Sequence, residues 1–179
     1  HFLHVKSSHP NAQPLLLTHG WPGSVVEFLK VIGPLTEPQA HGLEGSQAYH
    51  LVIPSLPGYG FSGKPQETGW GIPKIAKSFT QLMARLGYSR YFAHGGDWGA
   101  VVTTAIGAMD PDHCAGIHLN MVTVPPDPEA DDLTEIEKSA LEGFQYYRDS
   151  GSGYSKQQST RPQTLGYGLV DSPAGQAGW

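Results

Sequence analysis

Leu15-Leu16-Leu17 is an unbroken apolar run closed by Thr18-His19-Gly20, the pattern of a strand buried on both faces of a parallel sheet. Phe2 to Val5 reads as a neighbouring strand, and Tyr49-His50-Leu51-Val52-Ile53 as the next. Val25 to Ile32 predicts a short helix stopped by Gly33-Pro34, and polar Pro38 to Gln47 predicts a surface loop. Pro54 to Gly63 is a second loop, punctuated by proline and glycine. Ile75, Phe79, Leu82, Met83 and Leu86 recur at helical spacing, which predicts a helix over 72–86 with Gly87 as its C′ residue. A strand over 91–94, a helix to Met109, a turn at Asp110-Pro111-Asp112 and a strand from Ile117 to Asn120 follow. Strands and helices alternate with short connections. The class is therefore α/β, with a mostly parallel sheet, right-handed crossovers and flanking helices.

The pattern changes after Val124. Pro125-Pro126-Asp127-Pro128 breaks it, and an acidic stretch from Glu129 to Asp132 follows. Thr134 and Glu137 have the spacing of a capping box that opens a helix to about Arg148, with Ile136, Ala140, Phe144 and Tyr147 on one face. Ser150 to Trp179 is rich in Gly, Ser and Gln and has little periodicity. Residues 1–124 are expected to form the N-terminal part of the core, and 125–179 the start of an inserted helical cap.

Composition sets limits more than it names a task. A net charge of −5 over 179 residues, with Lys and Arg scattered, gives no electrostatic case for nucleic acid. The single cysteine, Cys114, allows neither an internal disulfide framework nor a cysteine-based zinc site. No apolar run approaches the ~18 residues of a membrane span. The chain opens on His1 without an initiator Met and stops at Trp179 within a glycine-rich stretch. It is therefore expected to be an internal piece, incomplete at both ends, which leaves targeting and any membrane anchor open.

The chemistry concentrates in His94-Gly95-Gly96-Asp97-Trp98-Gly99. A strand, a glycine-flanked turn and a helix have the form of a nucleophile elbow, G-x-Nu-x-G, which in esterases carries serine. Here the nucleophile position holds Asp97. The same pattern also suits a buried strand–helix corner in which Asp97 only caps the helix. His19-Gly20-Trp21-Pro22-Gly23 follows the first strong strand, where a second backbone donor for an oxyanion hole is found in such folds. The candidate donors are the N–H groups of Trp21 and Trp98; a tight turn around a buried tryptophan is the plainer alternative.

Three segments now carry a family resemblance: His19 to Ser24, Leu56-Pro57-Gly58-Tyr59-Gly60-Phe61-Ser62, and Gly95 to Gly99. Together they resemble the signature segments of α/β-hydrolase-fold epoxide hydrolases. Trp21 is similar to the microsomal and juvenile-hormone-type branch, as is the stretch from Gly153 to Thr164 continuing to Asp171-Ser172-Pro173-Ala174-Gly175. The resemblance implies that Asp97 attacks an epoxide carbon and forms an alkyl ester. Carboxylates are ionised at neutral pH and need no base for this. It implies Tyr154 as the cap tyrosine that protonates the departing oxygen, and Trp21 and Trp98 N–H as the oxyanion hole for hydrolysis of the ester. Water activation needs a His oriented by an acid, and the resemblance puts that pair beyond Trp179.

The nine histidines offer no convincing substitute within the chain. His19 is expected to brace its turn and His94 to be structural. Asp127 and Glu129 are weak candidates for orienting a base. Trp21, Phe61, Trp98 and Tyr154 are expected to line an apolar pocket for a small hydrophobic epoxide, which would react with water to a vicinal diol without metal or cofactor. The implied setting is cytoplasmic or membrane-associated rather than secreted, with a homodimer allowed. Two other functions remain open. Haloalkane dehalogenases share the Asp-Trp pair at the elbow, but Trp21 and Tyr154 favour epoxide opening. A non-catalytic hydrolase-fold protein that binds an apolar ligand is the other.

Overall fold

The computed structural model describes every residue except 125, 126, 128 and 129. Pro125, Pro126, Pro128 and Glu129, assigned above to the break before the cap and to a weak candidate acid, lie outside the described residues. Contacts divide the chain into two compact units, His1–Val122 and Thr123–Trp179.

The first unit is built on a five-stranded sheet in the order β1-β3-β2-β4-β5. The strands are β1 (Phe2–Val5), β2 (Gln13–Thr18), β3 (Tyr49–Pro54), β4 (Tyr91–Gly95) and β5 (Cys114–Leu119). β2 is parallel to both β3 and β4, and β4 is parallel to β5. β1 departs from expectation, because it pairs antiparallel with β3, Leu3 opposite Ile53, and does not touch β2 as a neighbour. The reason lies in β2, whose two edges are already filled by β3 and β4. β5 also begins earlier than its apolar pattern indicates. Cys114 and Gly116 join the ladder opposite Tyr91 and Phe92, across an irregularity in register.

Side chains alternate across β2 as strand geometry requires. Leu16 packs with Phe79, Met83, Val102 and Ile106, while Leu15 and Leu17 pack with Val25, Phe28, Leu51 and Ile53 on the other face. The first cluster lies under α2 (Ile72–Arg85) and α3 (Trp98–Met109). α2 ends as its sequence predicts: Gly87 has φ 83°, Tyr88 N–H donates to the Met83 carbonyl at 3.0 Å and Gly87 N–H to that of Ala84 at 3.0 Å. That is a Schellman closure.

Gly33-Pro34 does not stop the first helix. A 3-10 turn at Val25–Phe28 runs into α1 (Leu29–Thr36), which passes through Pro34. The carbonyls near the proline still find donors: Thr36 Oγ1 donates to Ile32 at 2.8 Å, and Glu37 N–H to Gly33 at 2.8 Å. The His41 ring lies against Gly33, its Nε2 2.6 Å from where a Cβ would stand.

The second unit is helical. α4 (Glu135–Tyr146) carries the expected capping box, with Thr134 N–H donating to Glu137 Oε2 at 2.8 Å and Glu137 N–H to Thr134 Oγ1 at 3.3 Å. A π-helical turn at Tyr147–Gly151 follows, then α5 (Gly153–Thr160), α6 (Pro162–Asp171) and α7 (Pro173–Gly178). The aperiodic tail is therefore helical, which its apolar pattern hides. Its start signals are local: Pro162 and Pro173 open two of the helices, and Ser172 Oγ accepts from Gly175 N–H at 3.0 Å. Among the described residues no helix is long and apolar enough to cross a membrane.

Candidate active site

Asp97 sits between the end of β4 and the first residue of α3, with φ 51° and ψ −129°. Few side chains adopt that conformation, and the flanking glycines make it possible here. A Cβ on Gly95 would overlap the Gly99 carbonyl, and one on Gly99 would overlap the Thr18 carbonyl. The missing side chains let β4, α3 and the end of β2 close on one another. Gly96 is under no such pressure, since a Cβ there would lie 3.6 Å from Asn120 Cβ, an ordinary contact.

The Asp97 side chain does not cap α3. It turns toward the loop after β2, where Trp21 N–H donates to its Oδ1 at 2.7 Å. Gly20 clears the way, since a Cβ there would strike the Asp97 carboxylate. The capping alternative is thereby set aside: the carboxylate faces the loop that holds Trp21. Trp98, as the first residue of α3, has a backbone N–H with no acceptor inside its helix. Its ring is half exposed, like that of Trp21.

His19 is fully buried behind this loop. Its Nε2 accepts the Leu56 N–H at 3.0 Å, so Nδ1 carries the ring proton and donates to the Gly20 carbonyl at 3.0 Å. His19 thus braces the Trp21 loop against the Pro54–Gly63 loop, and the Trp21–Pro22 bond is cis.

Tyr59 is a site residue that the pattern of the chain does not single out. Its ring packs edge-on to Trp21 at 5.6 Å and tilted to His19 at 5.5 Å. Burial, and then the nearby charge of Asp97, push its hydroxyl above the ordinary tyrosine range. The available signal was its position between Gly58 and Gly60, both at positive φ, which lets a short loop turn a ring inward. Phe61 in the same loop is largely exposed and packs tilted against the His1 ring, centroids 5.1 Å apart.

The other histidines have separate attachments. His94 Nδ1 and His118 Nδ1 are 2.8 Å apart in a cavity of about 750 Å³ that Leu15, Leu17, Phe28 and Phe92 also line. Burial, and then His118, hold His94 below the ordinary histidine range. His113 does pair with an acid, its Nδ1 2.6 Å from Asp110 Oδ1. That pair stands past the C-terminal end of α3, a helix length of roughly 18 Å from Asp97.

Residues 13–161 match the family model of the alpha/beta hydrolase fold. The chain belongs to that family. A Stigmatella aurantiaca protein, provisionally named an epoxide hydrolase, is 55% identical over all of this chain and 41% of its own length. Epoxide hydrolase from Aspergillus niger superposes with a TM-score of 0.77 at 35% identity, over 98% of this chain and 46% of the other. Juvenile hormone epoxide hydrolase from the silkworm Bombyx mori gives 0.72 at 38% identity, over 98% and 40%. The chain thus spans between two fifths and one half of the length of these hydrolase-fold relatives.

Within the family's fold, Asp97 occupies the elbow and Trp21 the loop facing it. Tyr154 belongs to the second unit, on the first turn of α5, and its Oη lies 2.9 Å from Tyr147 Oη. A carboxylate held through one oxygen by a backbone N–H can use its other oxygen as a nucleophile toward an electrophilic carbon. The same N–H can stabilise negative charge on the fixed oxygen.

Proposed function

We propose that the protein containing this chain hydrolyses epoxides to vicinal diols through an ester on Asp97. The observation that carries this is the 2.7 Å hydrogen bond from Trp21 N–H to Asp97 Oδ1 at an elbow whose aspartate leaves its helix uncapped. Oδ2 attacks the epoxide carbon; the carbon–oxygen bond breaks and its electron pair stays on the departing oxygen. Tyr154 Oη supplies the proton that oxygen needs. Oδ1 becomes the ester carbonyl and then, on attack by water, the oxyanion held by Trp21 N–H and Trp98 N–H. The His and acid that activate this water are assigned to sequence outside this chain. The step requires neither metal nor cofactor.

Trp21, Trp98, Phe61 and Tyr154 are assigned to an apolar lining, which suits a hydrophobic epoxide, and Tyr59 joins them through its contact with Trp21. The assignment is tested by incubating the chain with styrene oxide and mapping the adduct by peptide mass spectrometry. One adduct on Asp97, lost in Asp97→Ala, is expected. Adducts distributed over other residues, or unchanged in Asp97→Ala, would overturn the nucleophile assignment.

A further inference from the structure

Tyr147 and Tyr154 meet because the helix between them is interrupted. In an unbroken α-helix, residues seven apart share a face but stand about 10 Å apart along the axis. Here the π-helical turn ends at Ser152 and α5 begins afresh at Gly153. The two hydroxyls come to 2.9 Å. Ser152 Oγ and Lys156 Nζ both donate to the Arg148 carbonyl, at 2.8 and 2.9 Å, and tie α5 back onto the turn. Gly151 completes the bracket: a Cβ there would lie 2.9 Å from Tyr147 Cδ2, so a side chain at this position would push the ring away from the turn.

We infer that Tyr147 is a positioning residue for the acid of ring opening, donating its hydroxyl hydrogen to Tyr154 Oη as Tyr154 releases its proton. The inference rests on the reading of Tyr154 as proton donor. When Asp97 Oδ2 bonds to the epoxide carbon, the proton moves from Tyr154 Oη to the departing oxygen and leaves a phenolate. Tyr147 keeps its own proton and shares it with that phenolate as a hydrogen bond; water from solvent then returns a proton to Tyr154. A bond that strengthens as charge develops on its acceptor favours the charged form, so it lowers the barrier to ring opening specifically.

The test is the single-turnover rate of Asp97 alkylation by styrene oxide as a function of pH, read by intact-mass spectrometry. Tyr147→Phe is expected to alkylate about tenfold more slowly, the equivalent of one hydrogen bond of about 1.4 kcal/mol. The alkaline limb, where Tyr154 ionises, is expected to move to higher pH. Tyr154→Phe is slow and has no such limb, and adding Tyr147→Phe to it costs nothing more. Gly151→Ala keeps both hydroxyls, crowds the Tyr147 ring and gives a milder version of the Tyr147→Phe profile. If Tyr154→Phe is slow while Tyr147→Phe matches wild type, or slows without moving the limb, the role of Tyr147 is overturned and that of Tyr154 stands. If Tyr154→Phe alkylates at the wild-type rate, both fall.

Discussion

Asp97 combines the side chain proposed as nucleophile with an unfavourable backbone. Its φ of 51° belongs to a region that costs a residue bearing a Cβ of order 1–3 kcal/mol. Glycine elsewhere is ordinarily 0.5–1 kcal/mol worse than alanine within a regular element. The order should invert here. Asp97→Gly and Asp97→Ala both lose the bond from Trp21 N–H, so their difference sets the strain against glycine's ordinary entropic cost. Asp97→Gly is expected to be about 1 kcal/mol more stable than Asp97→Ala, read from urea denaturation midpoints. The ordinary order, with Asp97→Ala more stable by about 0.5–1 kcal/mol, would mean that the turn stores no strain.

Two loops and three strand ends must agree before Asp97 faces Trp21, and His19 is the side chain that couples the loops. It is buried and bonded at both ring nitrogens. Replacing it by alanine strands the Leu56 N–H, a buried donor whose loss of partner costs about 1–3 kcal/mol. His19→Ala is expected to lower stability by about 2–3 kcal/mol in denaturant titration and to slow adduct formation at Asp97. A stable variant with wild-type alkylation would show that the Trp21 loop holds its shape without this brace. Element by element, β2, β3, β4 and α2 were legible in the sequence because their signals are local: apolar runs, a helical stripe and a C′ glycine. The pairing of β1 was not, because the edges it competes for are filled by residues far along the chain. Nor was the passage of α1 through Pro34, which depends on Thr36 and Glu37 serving nearby carbonyls.

Titration links these local environments to the stability of the whole molecule. His94 and His4 both sit below the ordinary histidine range, chiefly through burial. The unfolded chain, with histidines near 6.5, takes up protons before the folded one does. Stability is therefore expected to fall as pH drops below about 6.5, until the folded-state histidines also titrate. Glu37, held low by hydrogen bonds from Ser8, and Glu137, held low by Thr134, add a second loss at more acid pH. At the alkaline side, Tyr91 is raised by burial and by its bond to Asp110 Oδ2 at 2.7 Å, and Tyr88 by burial. The unfolded chain ionises first there as well, so stability declines above about pH 10. Thermal unfolding between pH 3 and 11 checks the shape, and His94→Asn should flatten the first acid step. A profile rising toward low pH would contradict the environments of both histidines.

The sequence by itself determined the α/β class, the elbow with a carboxylate at its centre, the glycines that flank it and the capping box at Thr134. Each is a short-range pattern in which residue type dictates backbone conformation. It left α5, α6 and α7 unread, because short helices opened by proline or a serine cap carry no apolar stripe. Only the tertiary structure decided that Asp97 faces Trp21 N–H instead of capping α3, and that Tyr59 lies against Trp21. Only it brought Tyr147 to the hydroxyl of Tyr154, through an interrupted helix. The first two depend on where distant backbone segments come to rest in the packing of the sheet, and the third on a break in helical geometry that the residue types alone do not signal.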